Sequence, residues 1–508
     1  MFRPGDIVKH TDIGSGIVVG KEGNRFKVRF RTLVFDVLLR AKELLPGDAA
    51  EPRHRIASKT PTIGFIEDKP ASADAWERRV IEAYRYGILD SEYASELTVG
   101  REDELRHLSK KLDLAGTGGA ALGIIGDYGS GKTHLLTLLA ERARRKNFLT
   151  ALITIDPLEI RPSNPKRLYR SIVTQLRYPD RAYPGEGLAP LLDRATDEEH
   201  WKSVASSFLS SGSRVGHRYL HALLLFWFNQ RKSYRDEFVE WAGGAQAWIE
   251  GQDEASSEFL TQWVGRQGLP RQWFPALPDH RTRSHTYTYL LTGISELARR
   301  VGYSGLVVLL DEAEYHERLG GEDRSFGDDF FARLLYAALR PAAGQLAAWE
   351  HNSYRGGHRQ TKDEPTIFQF PSGLVPVIAG TPETRVARLL ESFLIEDQVI
   401  HIPSLGSADV HQLILKLANL YWSGYGPGSG NGDWPPTVSK ETFRGAVCSL
   451  EQWAEDWMKY GAEDVVRPVI RTTIHILDLL RHGRIRAPKN GRELAAFLED
   501  PSASILGD

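Results

Sequence analysis

The chain has 508 residues, 41% of them hydrophobic, and a net charge of −2 from 64 basic and 66 acidic side chains. That length holds two or three domains with ordinary cores, and the balanced charge excludes a broadly basic nucleic-acid binder, so any DNA contact has to come from a local patch or a multimer surface. The single cysteine, Cys448, excludes an intramolecular disulfide and fits a reducing cytoplasm; no Cys/His cluster has zinc spacing, no run reaches membrane-spanning length, and no signal peptide is expected.

In chain order, residues 1–47 alternate apolar and polar positions between Gly-rich turns, which predicts a small β-barrel with strands near 3–8, 16–20, 26–30 and 33–37. Lys9, Lys21, Arg25, Lys27, Arg29 and Arg31 make it locally basic, either as a partner surface or as a solvated strand face. Residues 48–74 are rich in Pro, Ala, Ser and charge and read as a linker. A helix is expected from about Ala75 to Tyr86, with Trp76, Val80, Ile81 and Tyr84 on one face. Leu97 to Glu102 (LTVGRE) then forms a turn before a helix through Leu105, Leu108 and Leu112.

The next stretch organises the rest. Gly126-Asp127-Tyr128-Gly129-Ser130-Gly131-Lys132-Thr133 fits G-x-x-x-x-G-K-[ST], with a buried strand from Ala120 to Ile125 before it and an apolar helix from His134 after it. Three glycines let successive N–H groups curl around a phosphate, and the helix N-terminus adds a positive field. Lys132 is placed to reach the β- and γ-phosphates of ATP, and the Thr133 hydroxyl to ligate Mg²⁺. A triphosphate site also needs a carboxylate on a neighbouring strand. The apolar run Leu306 to Leu310 ends in Asp311-Glu312, which aims Asp311 at Mg²⁺ and sets Glu312 to polarise the attacking water. The string from Asp311 to Glu314 (DEAE) also has a helicase form, without the partner motifs of that class.

Phe148 to Ile155 reads as the next strand, and a long, mostly helical insertion follows at about 160–300. Its tryptophans (Trp201, Trp227, Trp241, Trp248, Trp263, Trp273) fit core packing better than base stacking, while Arg161, Lys166, Arg167, Arg170, Arg177, Arg281 and Arg283 make it the place to look for a partner or DNA surface. Residues 330–339 are expected as a helix, 341–366 as a polar loop, and Gly373 to Thr381 and Val399 to Pro403 as the last buried strands. From Ser407 the pattern turns helical, with Val410, Leu413, Ile414, Leu417 and Tyr421 on one face; two further helices are expected near 443–460 and 463–481, then a basic and polar tail.

The N-terminal segment resembles the SH3-like, Tudor-like barrels of the RNA-polymerase-interacting CarD family. The ordered set that follows resembles AAA+ ATPases of the origin-recognition type. That resemblance implies base contacts from the backbone at Val99 and Gly100 with Arg101 near the base, although an ordinary turn would carry the same letters. It implies a sensor 1 role for Thr381, beside the simpler role of capping the next helix. It offers Arg385 or Arg388 as a finger acting across a subunit boundary, and Arg467 or Arg471 as sensor 2, each equally readable as surface arginine. Residues Arg78 to Gly87, Leu97 to Arg101, GDYGSGKTHLL, LLDEAE and VIAGTPE together resemble the BREX-system ATP-binding family (BrxC/BrxD type). Membership implies an ATP-binding, ATP-hydrolysing AAA+ protein of bacterial anti-phage defence. It implies a homo-oligomer, and defence-system partners such as a helicase or methyltransferase.

The expected fold is therefore α/β: a P-loop AAA+-type parallel sheet flanked by helices. The domains are a barrel at 1–47, a linker at 48–74, the ATPase core with its insertion at 75–405, an α-helical lid at 406–485 and a tail at 486–508. The tail is short for the winged helix of origin-recognition proteins. Two alternatives to the ATP-driven motor follow: a nucleotide-gated scaffold with little turnover, and an adaptor whose barrel binds a helicase or RNA polymerase.

Overall fold

The computed structural model describes five strands between residues 7 and 46, and then residues 76–87, 94–115, 119–179, 186–209, 216–233, 235–252, 277–339, 366–426, 438–459 and 465–499, with a few isolated positions between. The linker expected at 48–74, most of the polar loop at 341–366, and Trp263 and Trp273 lie outside them. The chain divides into two units, Met1–Phe65 and Ile66–Asp508.

The first unit is an antiparallel sheet of β1 (Ile7–His10), β2 (Gly14–Glu22), β3 (Arg25–Phe30), β4 (Val37–Arg40) and β5 (Leu45–Pro46), in the order β4-β3-β2-β1-β5. Its register shifts between Val18 and Gly20, the local extra residue that bends a strand. The turns that would close this sheet into a barrel lie outside the described residues.

In the second unit α1 (Trp76–Arg85) and α2 (Glu102–Leu112) precede β6 (Leu122–Gly126), α3 (Lys132–Arg145) and β7 (Phe148–Thr154). The insertion supplies α4 (Pro165–Thr174), α5 (Ala189–Ala195), α6 (Trp201–Phe208), α7 (Leu220–Ser233), α8 (Arg235–Ile249) and α9 (Ser284–Arg300). Then come β8 (Gly305–Asp311), α10 (Gly321–Leu339), β9 (Leu374–Gly380), α11 (Arg385–Phe393) and β10 (Val399–Ile402). Four helices close the chain: α12 (Ser407–Tyr425), α13 (Lys440–Lys459), α14 (Val466–Arg481) and α15 (Gly491–Glu499).

The five strands form one parallel sheet in the order β10-β6-β9-β8-β7, with Ile124 beside Ala379 and Leu309 beside Val377. Both faces are covered, which is why these strands read as continuous apolar runs rather than alternating ones. Along β8 the alternation survives in the packing. Leu306, Val308 and Leu310 join the core under the insertion helices, while Val307 and Leu309 join the core under α2 and α3. The α/β class expected from the sequence is the class observed.

A third core lies among α12, α13, α14 and α15, and Val80, Ile81 and Tyr84 of α1 belong to it. So α1, more than 300 residues upstream, packs against the C-terminal helices; Arg85 pairs with Asp478 of α14. Within the tail the structure places a helix, α15, whose Leu494 and Phe497 are buried against this core. The insertion tryptophans whose side chains are described serve as core: Trp227 and Trp248 are buried, and Trp201 stacks on Phe228 with ring centres 3.9 Å apart.

Candidate functional site

In a parallel sheet, ligands gather at the carboxyl ends of the strands where the strand order reverses, and β6 stands at that point between β10 and β9. A cleft of about 400 Å³ opens there, bounded by the phosphate loop, the end of β8 and the helices α1, α12 and α14. It gathers Val99, Arg101, Tyr128 to His134, Asp311, Glu312, Arg467 and Arg471, so most of the residues singled out in the sequence face one space.

The loop's shape follows from its glycines. Gly129 and Gly131 sit at φ 76° and 91°, the left-handed region that costs glycine nothing. Gly126 is required for a different reason: a Cβ there would lie 2.4 Å from Ile402 Cγ1. The turn delivers Lys132 and Thr133 at the N-terminus of α3. Lys132 is buried, and its ammonium donates to the carbonyls of Gly126 at 2.8 Å and Asp127 at 3.2 Å, with the Thr381 hydroxyl at 3.5 Å. The Ser130 Oγ is buried with no hydrogen-bond partner among the described residues, which a bound anion would supply.

Thr133 Oγ1 donates to Asp311 Oδ2 at 2.6 Å, so hydroxyl and carboxylate meet beside the lysine. Burial raises the Asp311 carboxyl above its ordinary range, against the hydrogen bonds from Thr133 and the Glu312 amide that favour the anion. Both are hard oxygen donors, suited to a cation that takes one or two protein oxygens and completes its shell with phosphate and water. No group of three or more His, Cys, Asp or Glu is arranged for a metal among the described residues.

The acidic turn differs from a simple strand exit. Glu312 adopts φ 55°, unusual for a residue with a side chain, and a 3₁₀ turn runs from Ala313 to Arg318. The Tyr315 hydroxyl bonds to the Glu312 carboxylate, which raises that phenol. The tight turn carries Glu314 back under the loop, where its Oε1 accepts from the Thr381 hydroxyl and lies 3.8 Å from Lys132 Nζ. Sequence spacing does not reveal this carboxylate, because the left-handed residue before it sets its direction.

Around the cleft, Leu97 and Val99 are buried while Gly100, at φ 59°, lies against the Asp409 carboxylate of α12. Arg101 is 4% exposed and braces the turn, donating to the carbonyls of Ser130, Pro403 and Gly100. His134 Nε2 lies 2.9 Å from Thr98 Oγ1, whose own hydrogen goes to Ala94 O, so the imidazole is the donor. Burial pushes His134 down to about 4, and the charges of Arg101 and Lys416 act in the same direction. Arg467 Nη1 donates to the Tyr128 hydroxyl at 3.1 Å across the cleft, and Arg471 lies beside Gly87.

Two arginines stand outside the cleft. Arg385 pairs with Asp328, and its amide bonds to Glu317; Asp328 also accepts from His316 Nε2 at 2.8 Å. Burial works against the Asp328 anion, yet the bonds from His316 and Arg385 hold its carboxyl below the ordinary range. Arg388 is bonded to the carbonyls of Glu383 and Thr384.

A five-stranded parallel sheet, a glycine loop feeding a helix and an adjacent hydroxyl–carboxylate pair define a P-loop nucleotide-binding protein. Residues 73–205, the segment that carries this loop, match the family model described as BREX system ATP-binding protein BrxC/D. The match covers residues 73–205 of the 508-residue chain, and it is to the family that the motifs of the sequence resemble. No curated protein matches the chain. No helix among the described residues is long and apolar enough to cross a membrane.

Proposed function

We propose that the protein binds ATP with Mg²⁺ and hydrolyses it, acting as an origin-recognition-like AAA+ member of a defence system. One observation carries this: Lys132, the Thr133–Asp311 pair and Thr381 converge at the carboxyl ends of β6, β8 and β9. On ATP binding, Lys132 would exchange the carbonyls of Gly126 and Asp127 for the β- and γ-phosphates. Thr133 and Asp311 would hold Mg²⁺, which neutralises charge on the phosphates when bound. The backbone at Val99 and Gly100 would meet the base, and either Arg467, leaving Tyr128, or Arg471 would reach the phosphates as sensor 2. Arg385 or Arg388 would serve a neighbouring copy in a homo-oligomer, supplying positive charge to the transferring phosphoryl group. The output would be a conformational change passed to DNA or to partner defence proteins in the cytoplasm.

The Arg385–Asp328 pair favours a second possibility, a nucleotide-gated scaffold with little turnover, since an arginine held within its own chain is withheld from a neighbour's site. Titration of the full chain with ATP and Mg²⁺ tests the shared premise: Lys132→Ala is expected to abolish binding, and intact binding in that variant refutes it. Steady-state phosphate release, with and without duplex DNA, separates the two readings. Negligible release together with ATP-dependent assembly selects the scaffold.

A further inference from the structure

We propose that one face of the β3–β4 pair in the first unit binds the sugar–phosphate backbone of duplex nucleic acid, whatever its base sequence. This surface is separate from the phosphate-loop cleft, and the inference stands whether or not the chain hydrolyses ATP.

The register sorts the residues of these two strands by face. Arg25 is opposite Arg40 and Lys27 is opposite Leu38, and Arg29 follows Lys27 by two places, so these five positions share a face. Phe26 is opposite Leu39 and Val28 is opposite Val37, and with Phe30 they make up the other face. Because successive residues of a strand alternate between faces, one face of the pair is wholly apolar and the opposite one is basic at every position except Leu38. An antiparallel sheet of this kind packs its apolar face and gives the other to water.

Neither edge protection nor sheet stability accounts for the cations. Charged residues guard edge strands against pairing with other chains, but β3 lies between β4 and β2 and carries Arg25, Lys27 and Arg29. Like charges directly opposite each other destabilise a sheet, and Arg25 and Arg40 are such a pair; Glu22, opposite Arg25 on β2, offsets one of them. A polyanion relieves that cost. In a chain of net charge −2 the concentration is local. At about 3.4 Å per residue, β3 spaces its three cations roughly 7 Å apart. A duplex carries a phosphate charge every ~1.7 Å along its axis, so such a row finds partners in any register. The five positions of the basic face include no aromatic residue, so the stacking that holds single strands is absent from it and the contact is to backbone.

The test measures binding of the full chain, without nucleotide, to a fluorescent duplex of mixed sequence, to a single strand of the same length and to poly-glutamate. Four cations less one acid give an expected slope of log affinity on log salt of about −2.7, a loss of about 40-fold between roughly 50 and 200 mM salt. Combining Arg25→Gln, Lys27→Gln, Arg29→Gln and Arg40→Gln is expected to lower duplex affinity at least about tenfold at the low salt and to remove most of the slope. Lys27→Gln alone is expected to flatten the slope by about one, and Lys27→Arg, which keeps the charge, to restore it; that rescue separates charge from folding. Lys21→Gln, at a position opposite Phe26 on the other face, is expected to leave the slope unchanged. The inference is overturned if the wild type fails to bind duplex at about 50 mM salt, or if the combined variant binds within about twofold of it. It is equally overturned if Lys21→Gln costs as much as Lys27→Gln, or if the single strand or poly-glutamate binds more tightly than the duplex.

Discussion

Acidification offers a quantitative probe of the joint between the phosphate helix and the turn before α2. His134 is neutral in the fold, with its ionisation lowered to about 4 from the ordinary 6.5 chiefly by burial. A group whose folded value is depressed in this way costs nothing above pH 6.5. The unfolded chain binds the extra proton as pH falls through 6.5, and stability drains until pH reaches about 4. From those two values the loss at pH 4.5 is about 2–3 kcal/mol, a large share of the stability of a marginal domain. His134→Gln keeps an amide donor for Thr98 and removes the titration. Urea unfolding by tryptophan fluorescence at pH 7.5 and 4.5, on wild type and variant, gives the difference directly; other groups, His217 at about 3 among them, cancel. The variant is expected to lose about 2–3 kcal/mol less than wild type on acidification. Parallel losses in the two proteins would refute the buried, neutral assignment.

Gly126→Ala drives a methyl group into Ile402 and is expected to cost about 1–3 kcal/mol and most of the ATP affinity, read from a melting curve and a nucleotide titration. Arg101→Ala strips three carbonyls of their donor and is expected to cost about 2–4 kcal/mol by urea unfolding, more than its removal from a base contact would. Tyr128→Phe removes the acceptor that Arg467 must leave, so ATP is expected to bind about twofold to tenfold tighter by calorimetry; weaker binding would refute the exchange.

Much of the sheet was legible because its signals are local. The strand ending at Gly126, the loop and the helix from Lys132 are contiguous, and the apolar runs of β8 and β9 announce burial on both faces. What stayed hidden depends on direction or on distance along the chain. Nothing in DEAE says that Glu312 turns left-handed and sends Glu314, rather than itself, toward Lys132. The partner of Arg385 is Asp328, 57 residues away, and spacing along the chain carries no trace of it. The helix at 76–85 shows its apolar face plainly, yet the surface it covers lies at 410–477. The helix at 491–499 was masked by a polar start, Gly491-Arg492-Glu493, before its buried Leu494 and Phe497.

Thr98 deserves a last physical consequence, since its backbone carbonyl takes the Lys416 ammonium of α12 at 2.6 Å while its side chain is tied to His134. One peptide thus serves as a common axle for the C-terminal helices and the phosphate helix, and its next neighbour, Val99, borders the cleft. Rotation of those helices therefore drags the wall against which a base would rest. On the nucleotide reading proposed above, filling and emptying such a pocket would be coupled to any rotation of α12.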